Sequence, residues 1–127
     1  MKMALDDAAG VNVIRSYRPG EVQIRERCLR TSLIVLPHRL LEDWRPPRVD
    51  ALRPEHLEPV LAHAPEILIL GTGDTQVFPD PAVFGGLMAA GIGFEVMANA
   101  AACRTYNVLV AEERRAALAL ILADEAM

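Results

Sequence analysis

Pro65-Glu66-Ile67-Leu68-Ile69-Leu70-Gly71-Thr72-Gly73 is the stretch that decides the fold. It reads as a short strand, apolar on both faces, that empties into a glycine loop. A strand of this kind needs cover on both sides, which is the mark of a parallel or mixed sheet inside an α/β protein. Pro79, Asp80 and Pro81 then open a helix that runs to about Ala90, where Gly91-Ile92-Gly93 breaks it. Phe94-Glu95-Val96-Met97 follows as another strand. The order strand, loop, helix, strand predicts a βαβ unit with a right-handed crossover.

Upstream of that unit, Val11 to Tyr17 and Val22 to Arg25 both alternate, with Arg18-Pro19-Gly20-Glu21 as a turn between them. A hairpin is the natural reading. Cys28 to Leu36 is expected as a third strand, ending in the doubly apolar run Ser32-Leu33-Ile34-Val35-Leu36. The segment from Pro37 through Trp44, Pro46 and Pro47 is expected to be irregular, because adjacent prolines deny helix and ladder alike. Trp44 is expected to cap the sheet, an exposed anchor for a partner being the alternative. Arg53 to Leu57 opens a short helix with an apolar stripe of Leu57, Val60 and Leu61. Downstream, Asn99 is placed to cap a helix over Ala100 to Val110. On propensity alone, Ala116 to Ala123 continues as helix.

The totals bound the class. A chain of 127 residues suits one domain, here 10–127, preceded by a loose tail over 1–9. A composition 52% hydrophobic and 24% charged excludes disorder over most of its length. The 13 basic residues, all Arg except Lys2, are outnumbered by 17 acidic ones, giving a formal charge of −4. Nucleic acid is therefore not an expected partner, since phosphate binding favours a net basic face. Cys28 and Cys103 lie far apart, and neither they nor His38, His56 and His63 show zinc spacing, so no metal or cofactor is implied. Two lone thiols, no signal peptide in Met1 to Gly10 and no transmembrane segment place the chain in the cytoplasm as an expectation.

The chain resembles a family of small bacterial and archaeal α/β proteins related to mitochondrial complex I assembly factor 3. The residues that carry the resemblance are Pro65 to Gly73, Gly91 to Met97, and above all Ala101-Ala102-Cys103-Arg104-Thr105-Tyr106-Asn107-Val108-Leu109 with Glu112 and Arg114. Two departures stand out: Ala98-Asn99 where relatives often carry Asp-Thr, and Glu112-Glu113-Arg114 where many have Glu-Gly-Arg. The resemblance implies three layers: a mixed central sheet, helices packed on it, and a small antiparallel sheet from residues 11–36. It also implies that Arg115 to Leu122 is a buried strand, antiparallel to its neighbours, against local helix propensity.

The candidate site lies at the carboxyl edge of the βαβ unit, where open α/β sheets bind ligands. Gly71, Thr72 and Gly73 face the turn at Asn99 there, and Cys103, Arg104, Thr105 and Asn107 follow on the next helix. Backbone N–H groups at Thr72 and Gly73, with Arg104, suit an anion. Against this, glycines serve turns and close packing, and a cysteine with no histidine base is more often a buried thiol. Arg104 is also placed to pair with Glu95 or Glu112, and Tyr106 to sit in the core with its hydroxyl bonded. With no acid–base pair in view, enzymatic activity is not the favoured expectation. A non-catalytic interaction or assembly factor with a protein partner comes first, and a homodimer is open. A small-molecule or anion site, with or without enzymatic activity, is the alternative.

Overall fold

The computed structural model describes residues 10–46 and 48–122; the tail expected over 1–9 lies outside them. Among the described residues eight strands form two sheets. Strands β1 (Ile14–Arg18), β2 (Glu21–Ile24) and β3 (Arg27–Leu29) make an antiparallel meander. Strands β4 (Leu33–Leu36), β5 (Arg39–Leu41), β6 (Ile67–Gly71), β7 (Gly93–Met97) and β8 (Ala116–Leu120) form the central sheet in the order β5-β4-β8-β6-β7. Helix α1 (Glu58–His63) follows a 3₁₀ turn at Pro54–Leu57, and α2 (Gly85–Ala89) follows one at Pro81–Phe84. The longest helix among the described residues is α3 (Asn99–Ala111).

The three-layer arrangement holds, and the βαβ unit is present: β6 and β7 pair in parallel from Ile67↔Gly93 to Gly71↔Met97. Details differ from expectation in three places. The third strand is two strands, broken at Arg30–Ser32, so that the small sheet ends at Leu29 and Leu33–Leu36 joins the central sheet. The hydroxyl of Ser32 accepts a hydrogen bond from the Leu122 N–H at 2.9 Å, which fixes the chain at the crossing point. The stretch after Pro37 is not wholly irregular, because Arg39–Leu41 folds back as an edge strand on β4 before the prolines intervene. Finally, β8 is antiparallel only to β4; it runs parallel to β6, from Ile67↔Ala116 to Gly71↔Leu120.

Strand β8 has every residue buried despite its alanines. Its apolar side chains alternate between the two cores. Ala117, Ala119 and Ile121 face α1, α2 and Trp44, whereas Ala116, Leu118, Leu120 and Leu122 face α3 and the small sheet. A strand in the centre of a sheet covered on both faces recovers through burial what alanine lacks in β propensity. Trp44 is core, as the sheet-capping reading expected, and its indole N–H donates to the His56 carbonyl at 2.7 Å.

Candidate functional site

Glycines 71 and 73 sit where β6 ends against the start of α3. A Cβ at Gly71 would collide with the Asn99 carboxamide oxygen and would stand 2.7 Å from Leu120 Cδ2, so only glycine lets the helix approach this closely. Gly73 has φ +106°, a conformation that L side chains rarely adopt. Between them, Thr72 is buried. Its N–H donates to the Met97 carbonyl at 3.0 Å. Its hydroxyl donates to the Thr75 carbonyl at 2.7 Å and accepts from the Val77 N–H at 3.0 Å.

Asn99 ties this edge together at only 1% exposure. It is the first residue of α3 rather than its cap; Ala98 holds the N-cap position with no side-chain bond to offer. The Asn99 N–H donates to the Gly73 carbonyl at 2.8 Å, and its Oδ1 accepts from the Gly73 N–H at 3.0 Å. Its Nδ2 donates to the Ile121 carbonyl at 3.1 Å and to the Tyr17 hydroxyl at 3.2 Å. One carboxamide thus joins the glycine loop, the end of β8 and the small sheet. The Thr72 and Gly73 N–H groups, expected to face an anion, are both spent inside the protein.

Further along α3, the polar residues dock the small sheet. Asn107 accepts from the Ile14 N–H and donates to the Ile14 carbonyl, both at 2.9 Å, standing in for a neighbouring strand at the free edge of β1. Tyr106 is fully buried and donates to the Asn12 carbonyl at 3.0 Å. Burial raises the pKa of its hydroxyl. Burial also pushes the Cys103 thiol up to about 12, outweighing the lowering pull of Arg104. At neutral pH it is a thiol and not a nucleophile. Thr105 donates to Met97 Sδ at 3.3 Å. Arg104 is exposed and pairs with no carboxylate among the described residues, so the expected bridges to Glu95 and Glu112 do not form.

The candidate residues therefore separate. Thr72, Gly73 and Asn99 line a cleft of about 680 Å³ together with Tyr17, Arg30 and Asp74. Cys103, Arg104 and Asn107 line a separate groove of about 260 Å³ between β1 and α3. Gly71 and Thr105 line neither. Sequence reasoning missed Tyr17 as well as Arg30 and Asp74: Tyr17 borders both depressions, and its hydroxyl donates to Asp74 at 3.4 Å. Burial is the main cause of the raised pKa of Tyr17. No local pattern marks this tyrosine, since it is one alternating position in a hairpin. Among the described residues no cluster of His, Cys, Asp or Glu suits a metal, and no helix is long and apolar enough to cross a membrane.

The fold and this edge define a small α/β domain whose glycine loop is locked by an asparagine at the next helix. The chain belongs to the family of proteins of unknown function DUF498/DUF598, whose model matches residues 14–121. A Xanthomonas campestris protein solved by NMR is 37% identical, with a TM-score of 0.83 over 100% of this chain and 98% of that one. The NADH dehydrogenase [ubiquinone] 1 alpha subcomplex assembly factor 3 of Danio rerio is 33% identical over 117 residues, covering 91% of this chain and 67% of the relative. The 13 kDa major membrane protein of Francisella tularensis is 36% identical over 73 residues, 58% of this chain. That match spans only 59% of the Francisella protein.

Proposed function

We propose that this chain is a non-catalytic interaction protein that serves in the assembly of a multisubunit complex, with respiratory NADH dehydrogenase as the candidate client. The observation that carries this reading is where the polar groups of the carboxyl edge are used. Thr72, Gly73, Asn99 and Asn107 spend their hydrogen bonds on holding the fold, and the one thiol of the set is buried and protonated. General acid–base or covalent catalysis needs a reactive group within reach of a substrate and a partner to activate it. The assembly-factor name of the Danio rerio relative supports the choice of client. The test is a native gel stained for NADH dehydrogenase activity, run on cells with and without the gene. Accumulated subcomplexes that co-migrate with the tagged protein are expected; a full-size complex in normal amount without the gene would overturn the reading.

A second reading, a small-molecule or anion site, draws on the cleft bounded by Tyr17, Arg30, Thr72, Gly73 and Asn99. In that cleft Arg30 supplies the cation, not Arg104. Titration of the labelled protein with a library of anionic metabolites tests it. Amide shifts concentrated at Thr72, Gly73 and Asn99 support it, and an unchanged spectrum removes it.

A further inference from the structure

We infer that the free edge of β7, with the apolar groove beside it, docks an extended peptide segment in which apolar side chains alternate with lysine or arginine. The inference rests on the interaction reading above and specifies its surface and the chemistry of its partner.

The first observation is the backbone. The Gly93 N–H donates to the Glu66 carbonyl at 3.1 Å, and the Met97 carbonyl accepts from the Thr72 N–H at 3.0 Å. Residues 93, 95 and 97 therefore turn their backbone groups toward β6, while Phe94 and Val96 turn theirs outward. Among the described residues no strand pairs with β7 on that outer side. Among the described residues the Val96 carbonyl accepts only the side-chain amide of the exposed Gln76, at 2.9 Å. Proteins usually blunt such an edge with a cation, a proline or a bulge. The opposite edge, β5, begins with Arg39 and is three residues long. Strand β7 has no cation, proline or bulge: five residues run in unbroken register with β6, and the one charged side chain among them is Glu95.

The second observation is the groove, of about 380 Å³, that flanks this edge. Phe78, Pro79, Phe84, Met88 and Phe94 line it. Phe78 is 70% exposed and Met88 67%, although both are large and apolar. Phe84 and Phe94 form its floor, stacked with ring centroids 4.2 Å apart. Apolar anchors around a free strand are the elements of β-strand addition, in which the backbone supplies affinity and pockets for alternate side chains supply specificity.

The third observation is charge. From Pro54 to Cys103 the chain contains no Lys or Arg, and its fixed charges are all carboxylates. Glu95 lines the groove, and Asp80 stands between Pro79 and Pro81, which line it too. Side chains on an added strand alternate in direction, so apolar residues that meet Phe94 and Met88 alternate with residues that stand beside Glu95. Cations complement Glu95 there. A second copy of this chain is the poorer occupant. Antiparallel pairing of β7 with itself about Glu95 sets Glu95 opposite Glu95, and like charges directly opposite destabilise a pair.

The probe is the synthetic peptide Lys-Val-Lys-Leu-Lys-Val-Lys, blocked at both ends and titrated into the labelled full chain. Shifts are expected to be largest at Phe94 to Val96 and Gln76 to Phe78, with slowed exchange of the Phe94 and Val96 amides. The double variant Phe78→Ser/Met88→Ser, altered only at exposed positions, should bind about tenfold more weakly, as loss of a central apolar anchor does. Glu95→Lys should weaken it as well. Equal binding of a peptide with glutamates for the lysines, shifts centred elsewhere, or no shifts would overturn the inference. Cells carrying Phe78→Ser/Met88→Ser separate the two readings. If the double variant assembles the respiratory complex as well as the original protein, this surface is refuted and the assembly role stands. Peptide binding at this edge, with normal assembly in cells lacking the gene, supports the surface and refutes the role.

Discussion

Replacing Asn107 separates a structural role from a chemical one. Its carboxamide makes two hydrogen bonds to the backbone of Ile14, each 2.9 Å long. Both are partly buried, and together they hold the free edge of β1 against α3. Asn107→Leu keeps the number and branching of the side-chain heavy atoms but removes donor and acceptor, leaving the Ile14 N–H and carbonyl unpaired. Two such bonds at about 1 kcal/mol each, with part of the cost of orphaning their partners, give a loss of about 2–3 kcal/mol. For a domain of this size that lowers Tm by about 8–12 °C. Asn107→Asp retains the acceptor for the Ile14 N–H but sets a carboxylate against the Ile14 carbonyl, so it should lose at least about half as much. Urea unfolding followed by circular dichroism gives the free energies, and hydrogen exchange at Ile14 reports the local bond. A loss under about 0.5 kcal/mol in Asn107→Leu, or unchanged protection of the Ile14 amide, would refute this account of how the small sheet is held.

Gly71→Ala should cost about 1–3 kcal/mol by overpacking, because its methyl displaces Asn99 and meets Leu120; chemical denaturation measures it, and a neutral result would mean α3 can shift outward freely. Under native conditions the exposed Cys28 should react rapidly with a thiol reagent and Cys103 only as the protein unfolds, so two equally fast thiols would contradict the burial of Cys103. The Cys103 pKa is raised from 9.0 to about 12 in the folded state, so the unfolded chain binds fewer protons between those values. Stability should accordingly fall as pH rises through that window, and Cys103→Ala should flatten the fall in unfolding experiments run from neutral to alkaline pH. Trp44→Phe should lose about 1–2 kcal/mol with the indole bond to His56, visible as a lower urea midpoint with unchanged slope.

Much of the architecture was legible along the chain because it is written in local patterns. Ile67–Gly71 is apolar on both faces and ends in glycine, and Gly93–Met97 follows a glycine break, so the parallel pair could be read directly. The hairpin of β1 and β2 is marked by Pro19-Gly20. Strand β8 is different in kind. Ala116–Leu120 favours helix by propensity and becomes a strand because it lies between β4 and β6, covered on both faces; likeness to relatives, not residue preference, pointed to it. The same holds at the candidate edge. That Gly71, Gly73 and Asn99 would meet there follows from a βαβ unit, but which of their groups remain free does not. Tyr17 reaches Asn99 across 82 positions, and the Ile121 carbonyl reaches it across 22. Spacing and composition alone determined an α/β chain with a glycine loop opposite a helix. Only the tertiary structure decided that the polar groups at that meeting point are consumed by one another, because a buried hydrogen bond is satisfied by whatever partner packing brings within about 3.2 Å, wherever it lies in the sequence.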